Sequence, residues 1–193
     1  MFRSSRMVVL ALAAAFALVP VVQADDEPAL KIEFKVEGIS PKTVDAVKTA
    51  LEGIDGAGEV MTGADGVYQV SVEAGKSIDL NSIGKAIASA KGSDGPDLRL
   101  DIKSLMLSGM FMVAVEGDAA AGAKALSSTE GFSAEAGKEA GTITVKVTSS
   151  KPKSAMDLIQ ALGQAKLKLG NITWAAGAGE GGEGCGEGGC GEG

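Results

Sequence analysis

A short alternation, "KIEFKVEG", and its return later in the chain constrain the fold more than any other feature. Ile32, Phe34 and Val36 point to one face, and Lys31, Glu33, Lys35 and Glu37 to the other. That is the period-two pattern of a half-buried strand. "FMVAVEG" repeats it at a constant offset of 79, with Phe111, Val113 and Val115 falling on Ile32, Phe34 and Val36. A strand recurring at such a distance points to an internal repeat.

The elements after each strand carry the repeat further. "SPKTVDAVKTALEGIDG" predicts a helix with Ser40 as N-cap and Pro41 in the first position, its stripe formed by Val44, Val47, Leu51 and Ile54. A weak strand around Glu59–Met61, the turn "GADG" and the strand "VYQVSV" read as a hairpin. "LNSIGKAIASAKG" predicts a second helix facing inward through Ile83, Ala86, Ile87 and Ala90. "DLRLDIKSL" then closes the unit as a strand alternating at Leu98, Leu100 and Ile102. In the second copy "DAAAGAKALSSTEG", "GTITVKV", "SAMDLIQALGQAK" and "LGNITW" take the corresponding places, with Ala155, Leu158, Ile159 and Leu162 as the apolar face of the second helix. The order is β-α-β-β-α-β twice, so the expected fold is α+β, two tandem ferredoxin-like βαββαβ domains over residues 29–105 and 108–176. Each unit has roughly 70 residues, near the lower limit for a self-sufficient core, which favours packing of one on the other.

The chain ends read differently. Arg3 and Arg6, the apolar run Met7–Val22 and the small-residue site before Asp25 predict a secretory signal peptide over residues 1–24. The run is short for a membrane span, so no span is expected after cleavage, and the expected localisation is periplasmic or secreted. Loss of Arg3 and Arg6 takes the net charge from −7 to −9. Such an acidic chain does not suit nucleic acid or anionic membranes. The chain has no histidine, which removes the commonest general base and the commonest metal ligand together. No Gly-x-Ser-x-Gly elbow and no phosphate-cradling glycine loop occur, so the expectation is a protein that is not an enzyme.

At "VEGISPKTVDAVKTALEGIDG" the first unit resembles the heavy-metal-associated domains of copper chaperones and P-type ATPases. In that family the first strand ends in a Gly-Met-Thr/Ser-Cys-x-x-Cys loop, followed by a helix with a similar Val…Ala-Leu pattern. The resemblance implies the ferredoxin-like fold and a soft-metal theme. Gly38, Ile39 and Ser40 match the approach to the loop, but Pro41 and Val44 stand where the two cysteines belong. In the second unit Gly117 passes directly into "DAAAGAKAL". Neither domain therefore carries the thiolates that hold Cu(I) or Zn(II) in the family.

Both cysteines of the chain, Cys185 and Cys190, lie in the glycine- and glutamate-rich tail 177–193, a composition that cannot build a core and predicts disorder. Thiolates are soft ligands, and the expected metal ligands are Cys185 and Cys190, for Cu(I) or, with further donors, Zn(II). A loop-closing disulfide or an inert tail are the alternatives. "EGGCG", Glu187–Gly191, also resembles the Glu-Gly-Lys-Cys-Gly motif of exported bacterial precursors of copper-binding peptides, with Gly189 in place of the lysine. That resemblance implies copper, or modification of the tail by an enzyme. The offset of 79 places Met110 and Met112 opposite Lys31 and Glu33, on the outer face of their strand. There they either fill an apolar contact between domains or subunits or offer thioethers to Cu(I). The expected function is exported, non-catalytic binding of a soft metal. The alternative is a protein-interaction module whose domains have lost the metal site, so the expected partners are a metal ion and a partner protein.

Overall fold

The computed structural model describes residues 30–90 and 97–176, and within them the chain forms ten strands and four α-helices. The first unit comprises β1 (Lys31–Glu37), α1 (Val44–Glu52), β2 (Ala57–Thr62), β3 (Val67–Val72), β4 (Ser77–Asp79), α2 (Leu80–Ser89) and β5 (Arg99–Leu107). The second comprises β6 (Met110–Glu116), α3 (Ala119–Ser127), β7 (Phe132–Ala136), β8 (Thr142–Val147), β9 (Lys153–Ser154), α4 (Ala155–Gln164) and β10 (Lys168–Ala175). Four strands of each unit take the ferredoxin-like order, β2-β3-β1-β5 and β7-β8-β6-β10, all antiparallel. The α+β fold expected from the repeat is the fold observed.

Alternation decides which face each strand buries. β1 shows only Ile32, Phe34 and Val36 to the core, and β6 buries Phe111, Val113 and Val115 in the same way. "GADG" forms the expected turn between β2 and β3, a 3₁₀ turn over Ala64–Gly66. There Asp65 (φ 57°) and Gly66 (φ 75°) adopt the left-handed conformation that the reversal demands. Regular helix in α1 starts at Val44 rather than at Pro41. The preceding turn is closed by the Ser40 carbonyl, which accepts from the N–H groups of Thr43 (2.9 Å) and Val44 (3.2 Å). β5 departs from simple alternation. Between the pairs Lys35↔Asp101 and Glu33↔Met106 it bulges, and the Ser104 hydroxyl holds the bulge by donating to the Asp101 carbonyl (2.6 Å) and accepting from the Lys35 N–H (2.7 Å). The bulge resets the register so that Leu105 and Leu107 are fully buried, while Leu100 and Ile102 are only half-buried.

Each sheet has a fifth strand taken from the other unit. β4 of the first unit pairs with β10 through Ser77↔Ala175, Ile78↔Trp174 and Asp79↔Thr173. β9 of the second unit pairs with β5 through Ser154↔Met106 and Lys153↔Leu107. The exchange is reciprocal, and it covers an edge strand in each sheet that would otherwise present unpaired backbone groups. Each exchanged strand runs straight into a helix, α2 after β4 and α4 after β9, and both helices touch both β5 and β10. One continuous apolar cluster results, from Phe34 and Tyr68 in the first unit to Phe111 and Trp174 in the second. No helix among the described residues is long and apolar enough to cross a membrane.

Candidate functional site

The loop between β1 and α1 is where the sequence resemblance would place a metal. Gly38 turns the chain there at φ +78°, and a Cβ on it would lie 2.6 Å from the Asp97 carbonyl oxygen, so the position demands glycine. Beyond it the hydroxyls of Ser40 and Thr43 satisfy one another and the backbone. The Ser40 N–H donates to Thr43 Oγ1 (2.9 Å), Thr43 Oγ1 donates to the Ser40 carbonyl (3.1 Å), and the two hydroxyl oxygens lie 3.1 Å apart. Pro41 is exposed and Val44 half-buried. Below the loop, Tyr68 stacks on Phe34 with ring centroids 6.3 Å apart and donates its phenol to the Val44 carbonyl (3.2 Å). Burial, helped by the Asp45 carboxylate, pushes the Tyr68 phenol above its ordinary pKa, so it stays a donor. Hard hydroxyl oxygens already engaged in hydrogen bonds do not suit a soft cation. This loop does not fit Cu(I).

The corresponding loop of the second unit is built for a helix start. Gly117 turns at φ +126°, and the Asp118 carboxylate caps α3 by accepting from the N–H groups of Ala120 (2.9 Å) and Ala121 (3.4 Å). Among the described residues no group of three His, Cys, Asp or Glu side chains is placed to hold a metal ion. The expected ligands Cys185 and Cys190 lie outside the described residues.

The place where the tail leaves the fold is described. Ala176, the residue after β10, donates its N–H to the Lys76 carbonyl (3.0 Å) and accepts from the Gly75 N–H (3.0 Å). The loop before β4 therefore clamps the root of the tail. Beside that root, Met112 lines an open groove of about 460 Å³ together with Lys76, Asp55, Ala175 and Ala176. Lys76 Nζ and the Asp55 carboxylate pair at 3.1 Å along it. The offset reading put Met110 and Met112 on the outer face, and β6 does turn both away from its buried Phe111, Val113 and Val115. Met112 is 44% exposed, so it does not seal the contact between the two units. Met110 is half-buried and stands opposite Lys146.

One polar link between the units was not read from the sequence. Asp79 caps α2 by accepting from the Ser82 N–H (3.0 Å) and Ser82 hydroxyl (2.6 Å), and it also accepts from Asn171 Nδ2 of β10 at 3.3 Å. Burial tends to raise the Asp79 carboxyl, but the hydrogen bonds from Ser82, Asn171 and the Asn81 backbone outweigh it and hold the group below the usual aspartate value. The cap was legible in "DLNS", an aspartate three residues before a serine at a helix start. The Asn171 contact spans 92 positions and depends on the β4–β10 pairing, which has no sequence signature.

No family model matches the sequence, and no curated protein matches it. Among solved structures the chain is similar to the water-soluble region of the P-type ATPase CopA from Bacillus subtilis, with 19% identity and a TM-score of 0.32 over 72% of this chain and 89% of that one. A solution structure of the N-terminal soluble domains of the same ATPase matches at 19% identity and a TM-score of 0.31, covering 72% and 90%. Likeness at that depth carries no argument about what this chain binds. The ferredoxin-like description rests on the strand order given above.

Proposed function

We propose that the protein is an exported, non-catalytic binder of a soft metal ion, copper(I) first, with the thiolates of Cys185 and Cys190 as ligands. One observation supports this most. The first-unit loop has Pro41 and Val44 where the resembling family has sulfur, and its Ser40 and Thr43 hydroxyls are bonded to each other, while both thiols of the chain lie in a glycine-rich segment that follows Ala176. Glycine lets two sulfurs converge on one ion, and two thiolates suffice for linear Cu(I). The interlocked folded pair then serves as a rigid carrier for the tail. The experiment is a Cu(I) titration, against a competing chelator, of the reduced full chain and of a chain ending at Ala176. The full chain should take up one more tightly held equivalent. Equal uptake by both chains would remove the tail from the function.

A second reading, a protein-interaction module, is favoured by one contrast between the sheets. The outer face of β1 alternates Lys31, Glu33, Lys35 and Glu37, whereas the outer face of β6 offers Met110, Met112 and Ala114 before Glu116, with Thr144 and Thr173 beside Met112 and Lys146 opposite Met110. A strip carrying two methionines, with charges only at its ends, is a surface that partner proteins use. The same titration decides between the two readings, since this one needs no metal.

A further inference from the structure

The four sheet edges are not alike. The exchanged strands β4 and β9 make two of them and are three and two residues long, too short to template another strand. β7 makes the third, and the end of α3 locks it. Gly137 donates its N–H across the ladder to the Thr142 carbonyl (2.8 Å), so by alternation Phe132 and Ala134 turn their backbone groups outward. The Phe132 N–H donates to the Thr129 carbonyl (3.2 Å). The Ser127 hydroxyl takes both groups of Ala134, accepting from its N–H (3.0 Å) and donating to its carbonyl (2.9 Å).

β2, the fourth edge, lacks that lock. α1 and α3 are both nine residues long, and Glu52 ends the first where Ser127 ends the second. Val60 stands opposite Val70 as Ala134 stands opposite Val145. Glu52, however, pairs with Lys48 of its own helix (3.7 Å). Gly63 donates to the Val67 carbonyl (2.8 Å), so Val60 and Thr62 are the residues that turn outward. Among the described residues no side chain or loop bonds their backbone groups. Carboxylates without an ion pair among the described residues stand around this open stretch. Glu59 is exposed on β2 itself, and Asp65 lies in the turn at its far end. Glu73 lies beside its start, where a Cβ on Gly58 would be 3.6 Å from Glu73 Cγ. From residue 49 to residue 75 the chain has no lysine or arginine.

We infer that the β2 edge is a docking site for an extended, lysine- or arginine-bearing segment of a partner protein, which joins the sheet as a sixth strand through Val60 and Thr62. An open strand edge offers backbone hydrogen bonds to any extended chain, and the flanking side chains select among them. Selection here is by charge, since alternate side chains of the added strand share the outer face with Glu59 and Met61. A second copy of this acidic chain would bring Glu59, Asp65 and Glu73 against their own counterparts, so a basic segment is the occupant. The site needs no metal and lies on the other sheet from the β6 strip.

The test titrates the full-length protein with the acetylated, amidated peptide Lys-Val-Lys-Val-Lys, whose valines fall on the face of Val60 and Thr62. Nuclear magnetic resonance should show exchange of the Val60 and Thr62 amide protons slowed about tenfold at a free peptide concentration ten times its Kd, with Ala134 unchanged. The same peptide N-methylated at both valines keeps its charge but loses the donors that face the edge, and should protect neither amide. Thr62→Pro removes an outward N–H from an exposed residue without taking a bond from the β2–β3 ladder, and should abolish the protection at Val60. Circular dichroism checks that it melts with the parent. Glu59→Gln, on the surface, tests the charge separately and should weaken binding by up to about fivefold. Equal protection by the N-methylated peptide would mean that charge alone holds it, and the inference falls. Peptide-induced shifts at Met110 and Met112 with none at Val60 and Thr62 would remove this site while the interaction reading stands. Protection of Val60 and Thr62 that rises with protein concentration in the absence of peptide would make a second copy the occupant and overturn the assignment.

Discussion

Ile78 offers the sharpest perturbation of the interlock. It belongs to the first unit in sequence, yet its strand pairs with β10, where it stands opposite Trp174 and is 2% exposed. Ile78→Ala deletes three carbons from this buried position. At about 0.8 kcal/mol per buried methylene the transfer loss alone is ~2.4 kcal/mol. The rigid β4–β10 pairing limits collapse of the cavity, so the total should approach 3–4 kcal/mol, inside the roughly 2–5 kcal/mol range for such truncations. For a chain of this size that lowers the melting midpoint by about 6–16 °C, at roughly 2–4 °C per kcal/mol. The chain has one tryptophan and one tyrosine, Trp174 in the second unit and Tyr68 in the first, and each is a reporter for its own half. Because α2 and α4 each touch strands of both sheets, the Trp174 fluorescence transition and the far-ultraviolet circular dichroism transition should move down together as one event. A Trp174 transition that kept the parent midpoint while the circular dichroism split into two steps would refute the interlock.

Two further perturbations bear on the same architecture. Gly38→Ala should cost more than about 2 kcal/mol, because φ +78° disfavours a side chain and the new Cβ would meet the Asp97 carbonyl; a urea midpoint unchanged from the parent would contradict this. Asp79→Ala removes the α2 cap and the bond to Asn171, and should cost about 1 kcal/mol at neutral pH. The folded Asp79 pKa is depressed, so its contribution is present above the unfolded value of about 4 and is lost as pH falls through the folded value. Parent and variant should therefore converge in urea stability in strong acid, and a gap that stayed constant down to pH 2 would contradict the assignment.

How much of this was legible depends on the length of each element. β1 and β6 are seven residues long, and their alternation alone identified them and the faces they bury, while β3, six residues long, was identified as a strand. Ile83, Ile87, Leu158 and Leu162 likewise declared the inner faces of α2 and α4 by their spacing. β4 and β9, three and two residues long, are too short to carry any period, and β7 was not read either. Periodicity shows that a residue turns inward, but it does not show which strand receives it. Ile78 in "KSID" is a lone apolar residue among polar ones, and only a partner almost a hundred positions away makes it core. The candidate site divides in the same way. The missing cysteines at Pro41 and Val44 and the outward placement of Met112 were plain from sequence, because each depends on local alignment. The nearness of Met112 to the tail root was not, since it requires Gly75 and Lys76 of the first unit to clamp Ala176 at the end of the second. The exchanged strand that locks the two units together is therefore also the element that holds the root of the thiol-bearing tail beside a thioether. A change that frees β4 from β10 should therefore release Ala176 as well as lower stability.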